Sequence, residues 1–153
     1  MMWQAIFSAG NILAMIAWAV LILLPRRPLV LSAILYLAIG LLSFAYTVGI
    51  VSLMAGWVDP VGPADAAANF STIEGVRAIF ASNGGVTIGW LHYLAFDLFV
   101  GLWIAKDADA KDFSRILQAP ILFATFMAGP VGLFVWLIAR EPAARRAGRA
   151  AKD

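Results

Sequence analysis

Four apolar runs, each about as long as a bilayer's hydrocarbon core is thick, constrain this chain more than any other feature. A helix needs about 20 predominantly apolar residues to cross that core. The first run extends from Trp3 to Leu24 and stops at Pro25-Arg26-Arg27-Pro28, a turn short enough to force an antiparallel neighbour. The second, Leu29 to Trp57, exceeds what a bilayer requires, which predicts tilting, a kink near a glycine, or projection from the membrane. The third covers Val86 to Ala105 and the fourth Ile116 to Ala139. With 63% hydrophobic and 13% charged residues, the chain has too few charges to cover a water-exposed surface. The expected fold class is therefore all-α: a polytopic membrane protein with a bundle of four transmembrane helices over residues 1–139, followed by a basic tail, 140–153. The N-terminus enters its apolar run without a basic leader or a small-residue cleavage site, so the first run reads as a retained span.

The connections are equally legible. Val58 to Phe70, with Asp59, Asp65 and Asn69 among prolines and glycines, reads as a loop outside the hydrocarbon. Phe70 to Phe80 follows, with a Ser71-Thr72 cap ahead of apolar Ile73, Val76, Ile79 and Phe80, predicting a short amphipathic helix before the third span. Asn83-Gly84-Gly85 then breaks the chain before Val86. Asp107 to Arg115 reads as a hydrated loop, and Pro120 and Gly129-Pro130-Val131-Gly132 should bend the fourth span. Small residues recur at helical spacing at Ala38, Ala45, Gly49, Ser52 and Gly56, and again at Ala124, Ala128 and Gly132. Such stripes allow close helix packing and are compatible with a homodimer.

Charge and residue type exclude several functions. The net charge of +2 and pI near 9.3 rest largely on Arg140, Arg145, Arg146, Arg149 and Lys152, which beside a span read as an interfacial anchor and not a nucleic-acid site. The absence of cysteine excludes thiolate catalysis and disulfides, and a single histidine argues against a zinc site. Across four spans, Arg26, Arg27, Lys106, Lys111 and Arg115 would face one side, against Arg77 and the five C-terminal charges on the other, which gives no orientation. The dense tail alone points to both termini in the cytoplasm.

The third span carries His92 and Asp97. An ionisable side chain at bilayer depth costs roughly 2.5 to 3.5 kcal/mol even on a lenient insertion scale, so such groups turn inward and find partners. Five residues of helix turn about 140°, which keeps the two off one narrow face. Asp97 has a structural alternative in hydrogen bonds to Tyr93, Trp18 or Asn11, His92 in an interfacial position, and Glu74 in an exposed pair with Arg77. Trp90, Tyr93, Phe96 and Phe99 surround the ionisable pair, and flat apolar walls around a few polar groups suit an extended ligand such as a polyene or quinone.

The run Trp90-Leu91-His92-Tyr93-Leu94-Ala95-Phe96-Asp97-Leu98-Phe99-Val100-Gly101 occurs with Phe70-Ser71-Thr72-Ile73-Glu74-Gly75-Val76 before it and Phe126-Met127-Ala128-Gly129-Pro130-Val131-Gly132 after it. Together these resemble the neoxanthin-synthase-like membrane family, whose plant members are named for abscisic acid deficiency and whose relatives are many in bacteria. The resemblance implies an isomerisation of a carotenoid or retinoid-like polyene by acid–base chemistry, without redox cofactor or metal, in a bacterial inner membrane. It implies Asp97, His92 and Glu74 as catalytic residues, with Trp90, Tyr93, Phe96, Asn11 and Trp18 against the substrate. One departure stands out: Leu102-Trp103 occupies the place where many members carry a basic residue. The rival reading is a non-catalytic module that binds a pigment, lipid or protein partner. Haem held by His92 and Met127 is a weaker possibility, and so is transport, since the chain has no internal repeat.

Overall fold

The computed structural model describes residues 1–62 and 68–150, the side chains of 143–150 excepted. Asp65 and Lys152 lie outside the described residues, as does the 63–67 stretch of the expected 58–70 loop. The described chain is all-helical. Helix α1 spans Met2–Leu23, α2 Pro28–Met54, α3 Ile73–Ile79, α4 Asn83–Asp109, α5 Arg115–Met127 and α6 Gly129–Ala150.

Three of these, α1, α2 and α4, are long and apolar enough to cross a membrane, at 22, 27 and 27 residues. Their outward faces carry Ile12, Ile16, Leu37, Phe44, Val51 and Phe99 in the open, an apolar exterior that water would not tolerate at this scale. Pro28 opens α2, where its missing amide is an orphan in any case. The surplus length of α2 is taken up by a π-helical turn over Ile34–Ile39 that directs Ile34, Ala38 and Ile39 together into the core. The helix ends in a Schellman motif. Gly56 adopts φ +69°, the Gly56 amide donates to the Leu53 carbonyl at 3.1 Å and the Trp57 amide to the Ser52 carbonyl at 2.9 Å.

The core lies where α1, α2 and α4 meet, around Ala14, Trp18, Leu21, Leu42, Leu91 and Leu98. Gly10 of α1 faces Leu91 and Leu94 of α4, and Gly101 of α4 faces Trp18, so α1 and α4 run parallel, with α2 returning between them. Gly49, from the first small-residue stripe, packs on Ile88 of the same chain. Thr72 caps α3 by accepting from the Gly75 amide at 3.0 Å, in line with the expected cap, and Ser82 caps α4 through the Gly85 amide at 3.0 Å. That second cap is why Asn83-Gly84-Gly85 starts the third span instead of preceding it. Helix α3 is shorter than the predicted segment, which exposes Phe70, Ile73 and Phe80, as an interfacial element would.

The expected fourth span is where the sequence reading needs correction. Its residues form two helices, and they fold back on each other. Gln118 near the start of α5 donates to the Ile104 carbonyl on α4, and Met127 and Gly129 reach Tyr93 and Asp97. Trp136 and Arg140 of α6 then return to Asp107. A Cβ on Gly132 would enter the hydroxyl and the backbone of Thr125, so the two arms touch at the turn. The chain thus climbs α4 to its middle and descends again. At 13 residues, α5 is about 20 Å long, well short of the hydrocarbon thickness. Pro120 sits inside α5 without ending it, whereas Gly129-Pro130 produces a reversal, with Ala128 at φ −158°, ψ 87°.

The end of the bundle holding the α1–α2 turn, the α4–α5 turn and the outgoing part of α6 is laced by charge. Arg26, its side chain 5% exposed, donates to the Ala105 carbonyl and to Asp109 at 2.7 Å. Burial lowers the Arg26 pKa from its ordinary value and Asp109 counteracts this, so the guanidinium stays charged. Arg115 donates to the Leu24 carbonyl at 2.6 Å. Asp107, expected in a hydrated loop, belongs instead to the last turns of α4. It accepts from Arg140 through both oxygens at 2.7 and 3.1 Å, from Lys111 at 2.6 Å and from the Trp136 indole at 3.1 Å. Arg140 also lies 5.6 Å above the Trp103 ring. This cluster clamps the descending arm of the hairpin to α4.

Candidate functional site at the hairpin tip

Successive residues of a helix are about 100° apart, so Trp90, Tyr93 and Asp97 share one face of α4 while His92, Phe96 and Phe99 share the other. The first face leads to the hairpin tip. Phe7 stacks on Trp90 at 5.8 Å, and Trp90 stacks on Tyr93 at 5.1 Å with planes 17° apart. The Trp90 indole N–H donates to Asn11 Oδ1 at 3.0 Å, and Asn11 is itself fixed by donating to the Phe7 carbonyl at 2.9 Å. One turn further along, the Tyr93 hydroxyl donates to the Met127 carbonyl at 3.1 Å and also meets the Asp97 carboxyl. Asp97, 9% exposed, accepts from the Gly129 amide at 3.3 Å.

These contacts answer a problem created by the reversal. Backbone groups freed inside a bilayer have no water to bond, and each left unsatisfied costs several kcal/mol. Ala128 donates to Ala124, and Val131 and Gly132 both donate to the Ala128 carbonyl, while Pro130 has no amide to satisfy. For two of the groups at the break α4 supplies partners, a hydroxyl for the Met127 carbonyl and a carboxyl for the Gly129 amide. A carboxyl at the start of α6 also opposes that helix's positive end. A Cβ on Gly129 would enter the Asp97 carboxyl, so any larger residue there displaces that side chain.

Of the residues read from sequence, Asp97, Tyr93, Trp90 and Asn11 therefore form one continuous array. Trp18 lies beside it but in the core, 3% exposed, packed on Gly101 and 5.6 Å from Phe126 at the tip of the hairpin. His92 and Phe96 stack on each other at 4.5 Å on the opposite, outward face of α4, with Tyr46 5.5 Å from the imidazole. Glu74 is exposed on α3, at the end of the bundle where Phe80 meets Gly89. The structure does not bring His92 or Glu74 to Asp97.

Sequence reasoning missed Asp107 and the pairing of Tyr93 with a carbonyl. The available signal for the latter was the i, i+4 spacing of Tyr93 and Asp97 opposite a Gly-Pro break. Among the described residues, no cluster of His, Asp or Glu is placed to hold a metal ion. The bundle also has apolar grooves away from this array. One of about 360 Å³ between α1 and α2 is lined by Leu13, Ile16, Ala17, Leu29 and Leu37 among others and has no polar surface for chemistry. Another, of about 380 Å³, lies between the N-terminal halves of α1 and α4 and the C-terminal half of α2, beside Trp3, Phe44 and Ile88.

No curated protein and no solved structure significantly matches the chain. A family model described as ABA DEFICIENT 4-like matches residues 5–136, which takes in α1 to α5, the hairpin turn and the Trp136 end of the clamp. The chain is a member of the ABA DEFICIENT 4-like family.

Proposed function

We propose that this protein is a membrane-embedded isomerase of a carotenoid-like polyene, with Asp97 and Tyr93 as its acid–base pair. The observation that carries the reading is the placement of a carboxyl and a phenol at the foot of a stacked aromatic strip, Phe7, Trp90 and Tyr93, in the middle of a membrane helix. A flat conjugated chain lies well along such a strip, and its reactive end meets the two titratable groups. Family membership adds weight, since the plant relatives are associated with forming neoxanthin from an epoxide.

Opening an epoxide to a hydroxy-allene delivers one proton to the epoxide oxygen as its C–O bond breaks. It removes one proton from a chain carbon, whose C–H electron pair becomes the new double bond. Substrate and product have the same composition, so one acid and one base suffice. In this reading Tyr93 and Asp97 exchange the proton between them, and His92 and Glu74 take no part in the chemistry.

The second reading, a non-catalytic binding module, is favoured by one observation: capping Gly129 already accounts for Asp97. Asp97→Asn separates the two, because asparagine caps a helix about as well as aspartate but cannot carry the proton. Purified protein in lipid nanodiscs is incubated with an epoxy-carotenoid, and product of unchanged mass is followed by chromatography. Turnover by the wild type that Asp97→Asn abolishes supports the isomerase. Stoichiometric retention of the carotenoid without product, equal in both proteins, supports the module.

A further inference from the structure

The hairpin redistributes the charges of this chain. With α5 and α6 both on one side of the bilayer midplane, Arg26, Arg27, Lys106, Lys111, Arg115 and Arg140 all gather at one end of the bundle. Helix α6 continues outward from there to Ala150, and its sequence adds Arg145, Arg146 and Arg149. The other end, formed by the N-terminus, the α2–α4 connection and α3, carries Arg77 as its one basic side chain among the described residues. The even split expected from four spans thus becomes a ratio of nine to one, counted within short connections where such a bias sets orientation. Acidic groups share the basic end but contribute little to this rule. Each lysine or arginine near an anionic leaflet adds to its attraction.

We infer that the basic end seats on the anionic headgroups of the cytoplasmic leaflet, which leaves the N-terminus and α3 on the opposite side. The two termini lie across the membrane from each other, against the expectation that both are cytoplasmic. The Phe7–Trp90–Tyr93 strip runs between the outer end of α4 and the hairpin tip, so it faces the outer leaflet. If the proposed function holds, and this clause rests on it, the polyene is drawn from that leaflet.

The chain has no cysteine, so single substitutions report without background. Ser71→Cys marks the α3 side and Ser114→Cys the α4–α5 turn, both at exposed positions. A cysteine appended after Asp153 marks the C-terminal side. Each is expressed in the cytoplasmic membrane of a bacterial host and treated in spheroplasts with a membrane-impermeant maleimide. The expected pattern is labelling of Ser71→Cys at once, and of the other two only after the membranes are opened. Immediate labelling of Ser114→Cys overturns the orientation. Immediate labelling of the appended cysteine, with Ser114→Cys protected, overturns the hairpin, because α5 and α6 would then cross as one span.

A second measurement tests the charges themselves. Replacing Arg27, Lys106, Arg145, Arg146 and Arg149 by glutamine should make at least a tenth of the Ser114→Cys protein immediately reactive. An unchanged pattern in that variant would overturn the role of the basic end. Labelling is independent of turnover, so these outcomes are distinct from failure of the isomerase reading.

Discussion

Tyr93 and Asp97, one turn apart on α4, hold the two sides of a single break in the chain: the hydroxyl takes the Met127 carbonyl and the carboxyl takes the Gly129 amide. The same two residues that make the reversal tolerable in an apolar medium are the ones placed for proton chemistry. Structure and function are therefore expected to separate only in variants that preserve the hydrogen bonds.

Asp97→Ala removes the acceptor for the Gly129 amide, and Asp97→Asn retains one. The alanine variant should lose about 1–3 kcal/mol of stability and the asparagine variant less than about 1. Unfolding in mixed micelles of increasing denaturing-detergent fraction measures both.

Gly129→Ala and Gly132→Ala should differ in whether they can be rescued. The added methyl at 129 meets a side chain alone, that of Asp97, whereas at 132 it meets both the hydroxyl and the backbone of Thr125. Each should destabilise by about 1–3 kcal/mol. Combining Gly129→Ala with Asp97→Ala should recover most of the steric loss, whereas Thr125→Ala should leave most of the loss in Gly132→Ala, because the backbone contact stays. A double-mutant cycle on unfolding free energies shows the coupling.

Asp107→Ala leaves Arg140, Lys111 and the Trp136 indole without their shared acceptor. The expected cost is about 3 kcal/mol, the order seen on breaking a largely buried ion pair from one side. The loosening should be local: hydrogen exchange should accelerate in α6 by at least tenfold, with α1 and α2 unchanged.

His92→Phe should leave both stability and turnover close to wild type. The imidazole is stacked on Phe96 on an outward face and makes no contact with the hairpin tip. A phenyl ring preserves the stacking and removes the polar atoms, so the change in stability should fall within about 0.5 kcal/mol. Loss of turnover with retained stability would return His92 to the chemistry.

The sequence made the first three spans legible because runs of leucine, isoleucine and alanine between Pro25-Arg26-Arg27-Pro28 and the polar connections leave few other folds. It did not distinguish a fourth crossing from a hairpin. Ile116 to Ala139 is apolar throughout, and Gly129-Pro130 is compatible with a kink or a reversal. The decision is made by partners distant in sequence, Tyr93 and Asp97 at the tip and Asp107 at the base, and no local pattern encodes those. The candidate site shows the same division. Asp97 was conspicuous as a charge in an apolar run, and helical periodicity separates it from His92. Glu74 could be assigned to the site only by ignoring that α3 packs at the outer end of α4.

The turn at Ala128 also gives the protein an uneven silhouette. A section through the basic half cuts five helices, α1, α2, α4, α5 and α6, and a section through the other half cuts three. With each helix roughly 10 Å across, a body of this shape set in a bilayer would displace more lipid area from one leaflet than from its partner. Its preferred surroundings are then a matter of leaflet pressure as well as of headgroup charge, and lipids of different intrinsic curvature should shift its stability without touching a single side chain of the site.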